Sequence, residues 1–103
     1  MNGQKDILNY ILTGRKNAVT RSELCRLSGI EDRKMRDAIH HARRKIPILN
    51  MQDGQGYFIP DMNLLEERML LKQYVMQGTS RLKSIGWSLK AARQTLKNCG
   101  IEV

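Results

Sequence analysis

Sixteen residues at positions 31–46, EDRKMRDAIHHARRKI, gather eight basic or imidazole side chains: Arg33, Lys34, Arg36, His40, His41, Arg43, Arg44 and Lys45. A guanidinium is a flat fork of donors that fits O6 and N7 of a guanine edge, or two oxygens of a phosphate. A pair of imidazoles can hold a metal, but His40 and His41 are adjacent and would point about 100° apart on a helix. No Cys or Glu at metal-ligand spacing completes a set around them, so neither a metal nor a cofactor is expected. No Ser/His/Asp, Cys/His or paired-carboxylate arrangement and no GxxxxGK[ST] loop occurs, and GQGYF is too short to cradle a nucleotide. The expectation is a binding protein, not an enzyme.

The distribution of charge supports that expectation. The 103 residues carry a net charge of +8, and the cations are not spread evenly. Residues 15–45 hold ten Lys/Arg against four Asp/Glu, and residues 80–98 hold five Lys/Arg (Arg81, Lys83, Lys90, Arg93, Lys97) and no acid. The remainder is slightly acidic. A concentrated cationic surplus suits a polyanion, most often DNA or RNA. With 41% hydrophobic and 27% charged residues the composition is that of a globular chain. Two cysteines, Cys25 and Cys99, do not make a disulfide framework. The N-terminal MNGQKDILNY lacks a signal-peptide apolar segment and no apolar run is long enough to span a bilayer. No membrane partner is expected, and the protein is placed in the cytoplasm of a bacterial host.

The elements that must position these groups follow from periodicity. KDILNYILTG has Ile7, Leu8, Ile11 and Leu12 at helical spacing with Gly14 as a stop, which predicts a first, core-facing helix. VTRSELCRLSG predicts a second. Thr20 is its N-cap, Glu23 completes a capping box, Val19 and Leu24 form a hydrophobic staple, and Gly29 supplies the positive φ of a sharp turn. Residues 31–46 predict a third, with Met35, Ala38, Ile39, Ala42 and Ile46 on one apolar stripe. The opposite face then carries Arg33, Asp37, His40 and Arg44, flanked by Lys34, His41 and Arg36. Pro47 stops this helix. Ile48–Met51 and Tyr57–Ile59, on either side of QDGQG, predict a hairpin.

Two helices crossing at a small residue, Cys25, with glycine at the turn and apolar groups beyond it, meet the physical requirements of a helix-turn-helix. The hairpin that follows would be its wing. The run NAVTRSELCRLSGIEDRKMRDAIHHARRKIPIL followed by GQGYFIP resembles the small winged helix-turn-helix proteins of Gram-positive bacteria and their phages. The resemblance covers roughly residues 7–60. It implies a mainly α fold with a three-helix core, a two-stranded wing and duplex DNA as partner. The tail SRLKSIGWSLKAAR also looks like the helical tail of that group.

On this reading residues 1–60 form the winged domain and residues 61–103 a helical extension for bracing or dimerisation. Arg33, Arg36, Lys34 and His40 would reach base edges, Arg33 foremost because it lies in the first turn. Arg21, Ser22, Arg43 and Arg44 would bind phosphate, the first two at the free N–H groups of a helix start. Gln52 and Gln55 would be the wing's contacts, since the wing has no Lys or Arg. The extension predicts two more helices, one capped by Asp61, the other opened by Thr79 or Ser80. In the second, Leu82, Ile85, Leu89, Ala92, Leu96 and Cys99 recur in steps of three and four, a seam under three heptads long. Leu82, Ile85, Trp87 and Leu89 are the expected partner interface, for a homodimer or another protein. Trp87 falls opposite the seam and is either covered by a folded-back tail or a partner anchor. Two functions remain in view. One is a sequence-specific DNA-binding regulator of a phage or prophage. The other is a winged-helix interaction module that recruits replication or transcription machinery.

Overall fold

The computed structural model describes residues 6–102. The chain is mainly helical, with one two-stranded antiparallel sheet. It divides into a unit that ends at Leu71 and a second that begins at Lys72. The helices are α1 (Arg21–Ser28), α2 (Asp32–Ala42) and α3 (Leu65–Asn98), and the strands are β1 (Leu49–Asn50) and β2 (Tyr57–Phe58).

The first unit closes on Ile7, Ile11, Leu24, Met35, Ile39, Ala42 and Ile48, with Val19, Cys25, Ile30, Ala38 and Tyr57 packed around them. Leu49 and Phe58 are buried as well. The α2 stripe read from the sequence is therefore the face that enters the core. Burying a side chain such as Met35 or Ile39 contributes about 1.5–3 kcal/mol.

The expected first helix is instead a single 3-10 turn, Ile7–Asn9, whose start is capped by Asp6 Oδ1 accepting the Leu8 N–H at 2.9 Å. Lys5, at the head of that expected helix, lies outside the described residues. Ile7 and Ile11 still reach the core. The segment after them is drawn away from helix by a pairing across the unit. Ile59 N–H donates to Leu12 O at 2.9 Å, and Gly14 N–H donates to Ile59 O at 2.8 Å.

A second exchange, Val19 with Tyr57 at 2.9 and 2.7 Å, sets the chain before α1 along β2. β2 is thus flanked on one side by β1, in the register Leu49↔Phe58 and Asn50↔Tyr57, and on the other by residues 12–19. The hairpin is shorter than its apolar runs suggested. Gly56, at φ 99°, lets β2 approach: a Cβ there would lie 2.1 Å from Val19 O.

α2 stops at Ala42, not Ile46. Residues 43–46 tighten into turns, with Arg44 N–H on His41 O at 3.1 Å and Lys45 N–H on Ala42 O at 3.0 Å. Ile46, before Pro47, is disfavoured in the helical region, and the chain unwinds ahead of it.

The two helices expected beyond residue 60 are one. α3 runs unbroken for 34 residues through Gly78, Thr79 and Ser80. Thr79 does not cap a new helix; its Oγ1 donates to Val75 O at 2.8 Å, bonding back within α3. Asp61 is not the N-cap either. It lies in the preceding turn, where Oδ1 accepts the Asn63 N–H at 3.0 Å.

Candidate nucleic-acid interface

α1 begins as the sequence predicts. Thr20 Oγ1 accepts the Glu23 N–H at 3.2 Å, and Gly29, left-handed at φ 76°, ends the helix by donating to Cys25 O at 2.9 Å. The other half of the capping box is turned elsewhere, because the Glu23 carboxylate pairs with Arg26. That pairing holds the Glu23 carboxyl below the usual glutamate range.

The turn owes part of its shape to a residue that periodicity passed over. Ser28 is buried; its Oγ donates to Leu24 O at 2.7 Å and accepts the Ile30 N–H at 3.1 Å. That hydroxyl binds the end of α1 to the first residue beyond Gly29. A serine before a glycine is a common surface pair, so only its burial reveals the role.

α2 follows with Glu31 as N-cap residue, its side chain making no capping bond. Met35, Ile39 and Ala42 face inward. Arg33, Lys34, Arg36, Asp37, His40 and His41 are all exposed, as are Arg43 and Arg44 in the turn beyond. The predicted base-reading residues therefore share the solvent side of a helix whose other side is fixed in the core.

Their electrostatic situations differ. Asp32, in the first turn of α2, is a carboxylate between two arginines: Oδ1 lies 2.5 Å from Arg21 Nε, and Oδ2 lies 3.3 Å from Arg36 Nη2. Asp32 first, and then Tyr57, push the Arg21 guanidinium further toward its charged form. Arg36 and Arg21 thus meet an anion of the chain itself.

Arg43 has a second attachment. Its Nε donates to Ile48 O at 3.0 Å, and its guanidinium carbon stands 5.8 Å from the centre of the Tyr57 ring. It ties the end of α2 to the residue before β1 and to β2, which leaves its outer nitrogens for other partners.

The start of α1, the start of α2 and the hairpin border a notch of about 330 Å³. Arg21, Ser22, Asp32 and Gln52 line it together, so two residues expected at phosphate and one expected on the hairpin share one concave surface. Gln52 has φ 60°, a left-handed turn position, and its N–H donates to Asn50 Oδ1 at 3.0 Å. Gln55 belongs to a different concavity, of about 740 Å³, with Arg15, Asp53 and Glu67. There Asp53 accepts the Gln55 N–H at 3.0 Å and pairs with Arg15 at 3.2 Å. The Gln55 N–H, and then Arg15, hold the Asp53 carboxyl below the usual aspartate range.

Glu67 was also missed by sequence reasoning. It is one of two buried polar residues among those described, 4% exposed. One oxygen accepts the Asp61 N–H at 2.9 Å, and both lie 3.2 Å from the Arg15 N. The carboxylate thereby fastens the first turns of α3 to the loop before α1. In the second unit Leu82, Ile85 and Leu89 are exposed, and so is Trp87, at 75%.

No protein-family model matches the sequence, and no curated protein or solved structure matches it significantly. No helix among the described residues is long and apolar enough to cross a membrane.

Proposed function

We propose that the chain is a winged helix-turn-helix protein that binds duplex DNA in a sequence-specific manner, with α2 as its recognition helix. The observation that carries this reading is the two-sidedness of α2: Met35, Ile39 and Ala42 anchor it, while Arg33, Lys34, Arg36 and His40 stand in solvent on its other side. A major groove about 12 Å wide admits one such helix. Arg33, in the first turn and without a carboxylate partner among the described residues, is the leading reader, at a guanine O6/N7 edge. Lys34, Arg36 and His40 complete the reading side.

Phosphates would be met by Arg21 and Ser22 at the start of α1 and by Arg43 and Arg44 at the end of α2. Gln52, on the notch shared with Arg21 and Ser22, extends that line onto the wing, and Gln55 lies further along the same loop. Regulation of phage or prophage genes is the role adopted, on the sequence resemblance.

A second reading is favoured by one observation. The wing has no cation, and its only acid, Asp53, is paired with Arg15. A winged fold with so neutral a wing would suit an interaction module that recruits replication or transcription machinery, with exposed Trp87 as a contact. Titration of labelled duplexes across a salt series separates the two. A specific DNA binder loses affinity steeply with salt and keeps its sequence preference; the module binds every duplex weakly.

A further inference from the structure

The continuity of α3 changes what its apolar residues can do. With no break at Gly78, the seam read from Leu82 onward extends back to Val75. The positions Val75, Gly78, Leu82, Ile85, Leu89, Ala92, Leu96 and Cys99 alternate in steps of three and four. In heptad terms Val75, Leu82, Leu89 and Leu96 are a positions, and Gly78, Ile85, Ala92 and Cys99 are d positions. Asn98 ends the helix, and Cys99 continues its last turn with its N–H on Leu96 O at 3.0 Å. Val75, Leu82, Ile85 and Leu89 are 56, 71, 55 and 48% exposed.

We infer that this seam pairs with the same seam of a second copy of the chain, antiparallel, as a two-stranded coiled coil. Side-chain size decides the orientation. In a parallel pair like meets like, so Gly78 would face Gly78 and Ala92 would face Ala92, leaving two empty layers between layers of leucine. In an antiparallel pair each a residue faces a d residue of the other copy. The layers become Val75 with Cys99, Gly78 with Leu96, Leu82 with Ala92, and Ile85 with Leu89, each then repeated by symmetry. Both small residues meet a leucine, which is how large and small side chains fill a layer evenly. A seam that is complementary to itself on reversal makes a two-fold interface, the commonest kind.

Charge agrees. The charged residues at the flanking e and g positions, Lys72, Arg81 and Arg93, are all cations, so a like-charge meeting would count against self-pairing. In the antiparallel register e faces e and g faces g: Arg93 meets Thr79, Arg81 meets Thr95, and Lys72 meets Gly100. Gly86 and Ser88, beside the two-fold axis, meet their own small copies. Lys83, Lys90 and Lys97 fall at successive b positions, outside the seam, and lose no water. Trp87 is an f position and also stays outside. This interface differs from the expected one in excluding that residue, and it does not depend on the DNA reading.

The test uses the full chain. Sedimentation should give a mass twice the 11.9 kDa of one chain, returning to one chain on Leu82→Glu, with the thermal transition of the first unit retained. Mild oxidation of the unaltered protein should give no Cys99–Cys99 link. The Val75→Cys variant should yield a covalent dimer in which peptide mapping joins position 75 to Cys99. Emission from the lone Trp87 should stay that of a solvated indole at every protein concentration. A single-chain mass up to the solubility limit would overturn the inference, as would a trimer or tetramer. A Cys99–Cys99 link in the unaltered protein would overturn the orientation, and a concentration-dependent blue shift of Trp87 would overturn the seam.

Discussion

Asp32 Oδ1 lies 2.5 Å from Arg21 Nε, so the first turn of α2 is tied by an ion pair to the first turn of α1. The same carboxylate reaches Arg36 at 3.3 Å. The two arginines lie on the proposed DNA side and would meet phosphate or base there, so Asp32 competes with the polyanion for both. Exposed pairs of this kind are screened by solvent and add little to stability. Asp32→Asn is therefore expected to leave the melting temperature nearly unchanged while tightening binding to arbitrary duplexes and steepening its salt dependence. Fluorescence anisotropy at several salt concentrations checks this. Weakened binding would mean that Asp32 positions the arginines and does not compete for them.

Glu67 is a different kind of carboxylate, buried and engaged with the backbone N–H groups of Arg15 and Asp61. Glu67→Ala strands both donors, at a cost of about 1–3 kcal/mol for each that finds no water. Chemical denaturation should show a loss of at least about 2 kcal/mol, with Glu67→Gln intermediate because the amide oxygen keeps one acceptor. An unchanged midpoint for the alanine variant would remove Glu67 from the account of how α3 is anchored.

Gly56→Ala tests the close approach of β2 to the chain before α1. The added methyl would lie 2.1 Å from Val19 O at a φ of 99°, so steric overlap and backbone strain act together. A destabilisation of at least about 2 kcal/mol is expected. Gly54→Ala is the control: its φ of 83° carries the same kind of strain, but no atom lies within 4 Å. Equal losses in the two variants would show that strain alone, not the packing against Val19, sets the cost.

The hairpin loop should respond to acid in a defined direction. The folded state holds the Asp53 carboxyl below the usual aspartate range, through the Gln55 N–H and then Arg15. The stability this lends is present above the ordinary aspartate range and is lost as pH falls through the lowered folded value. An NMR titration following the Gln55 amide should therefore give a midpoint below that of aspartate in an unstructured peptide. A midpoint at the peptide value would mean that the loop contacts are not kept in solution.

Where sequence and structure agree, the determinants are local. Thr20 caps a helix three residues before its bonded amide, Gly29 ends it, and the α2 stripe follows from spacing alone. At the N-terminal segment they part, and a distant partner decides. Ile7 to Leu12 has helical spacing, but Leu12 and Gly14 bond Ile59, and a pairing so far along the chain leaves no local mark. Thr79 or Ser80 reads as the opening of a new helix, yet α3 runs through them and through Gly78. A single helical glycine costs only about 1 kcal/mol, and the residues on either side of it carry the helix through. The proposed DNA-contact residues were legible as a cationic helix face. Which of them already has a partner was not, because Asp32 pairs across the turn with Arg21, and Arg43 reaches back to Ile48.

The central claim is that α2 reads DNA, and it is tested most directly by selecting duplexes from a random pool with the unaltered protein, then titrating the best sequence against Arg33→Ala. The expected result is a defined recovered motif, an unchanged melting temperature for the variant, and a loss of about 1–3 kcal/mol in specific binding. Recovery of no motif, or equal affinity of both proteins for the selected duplex, would contradict it.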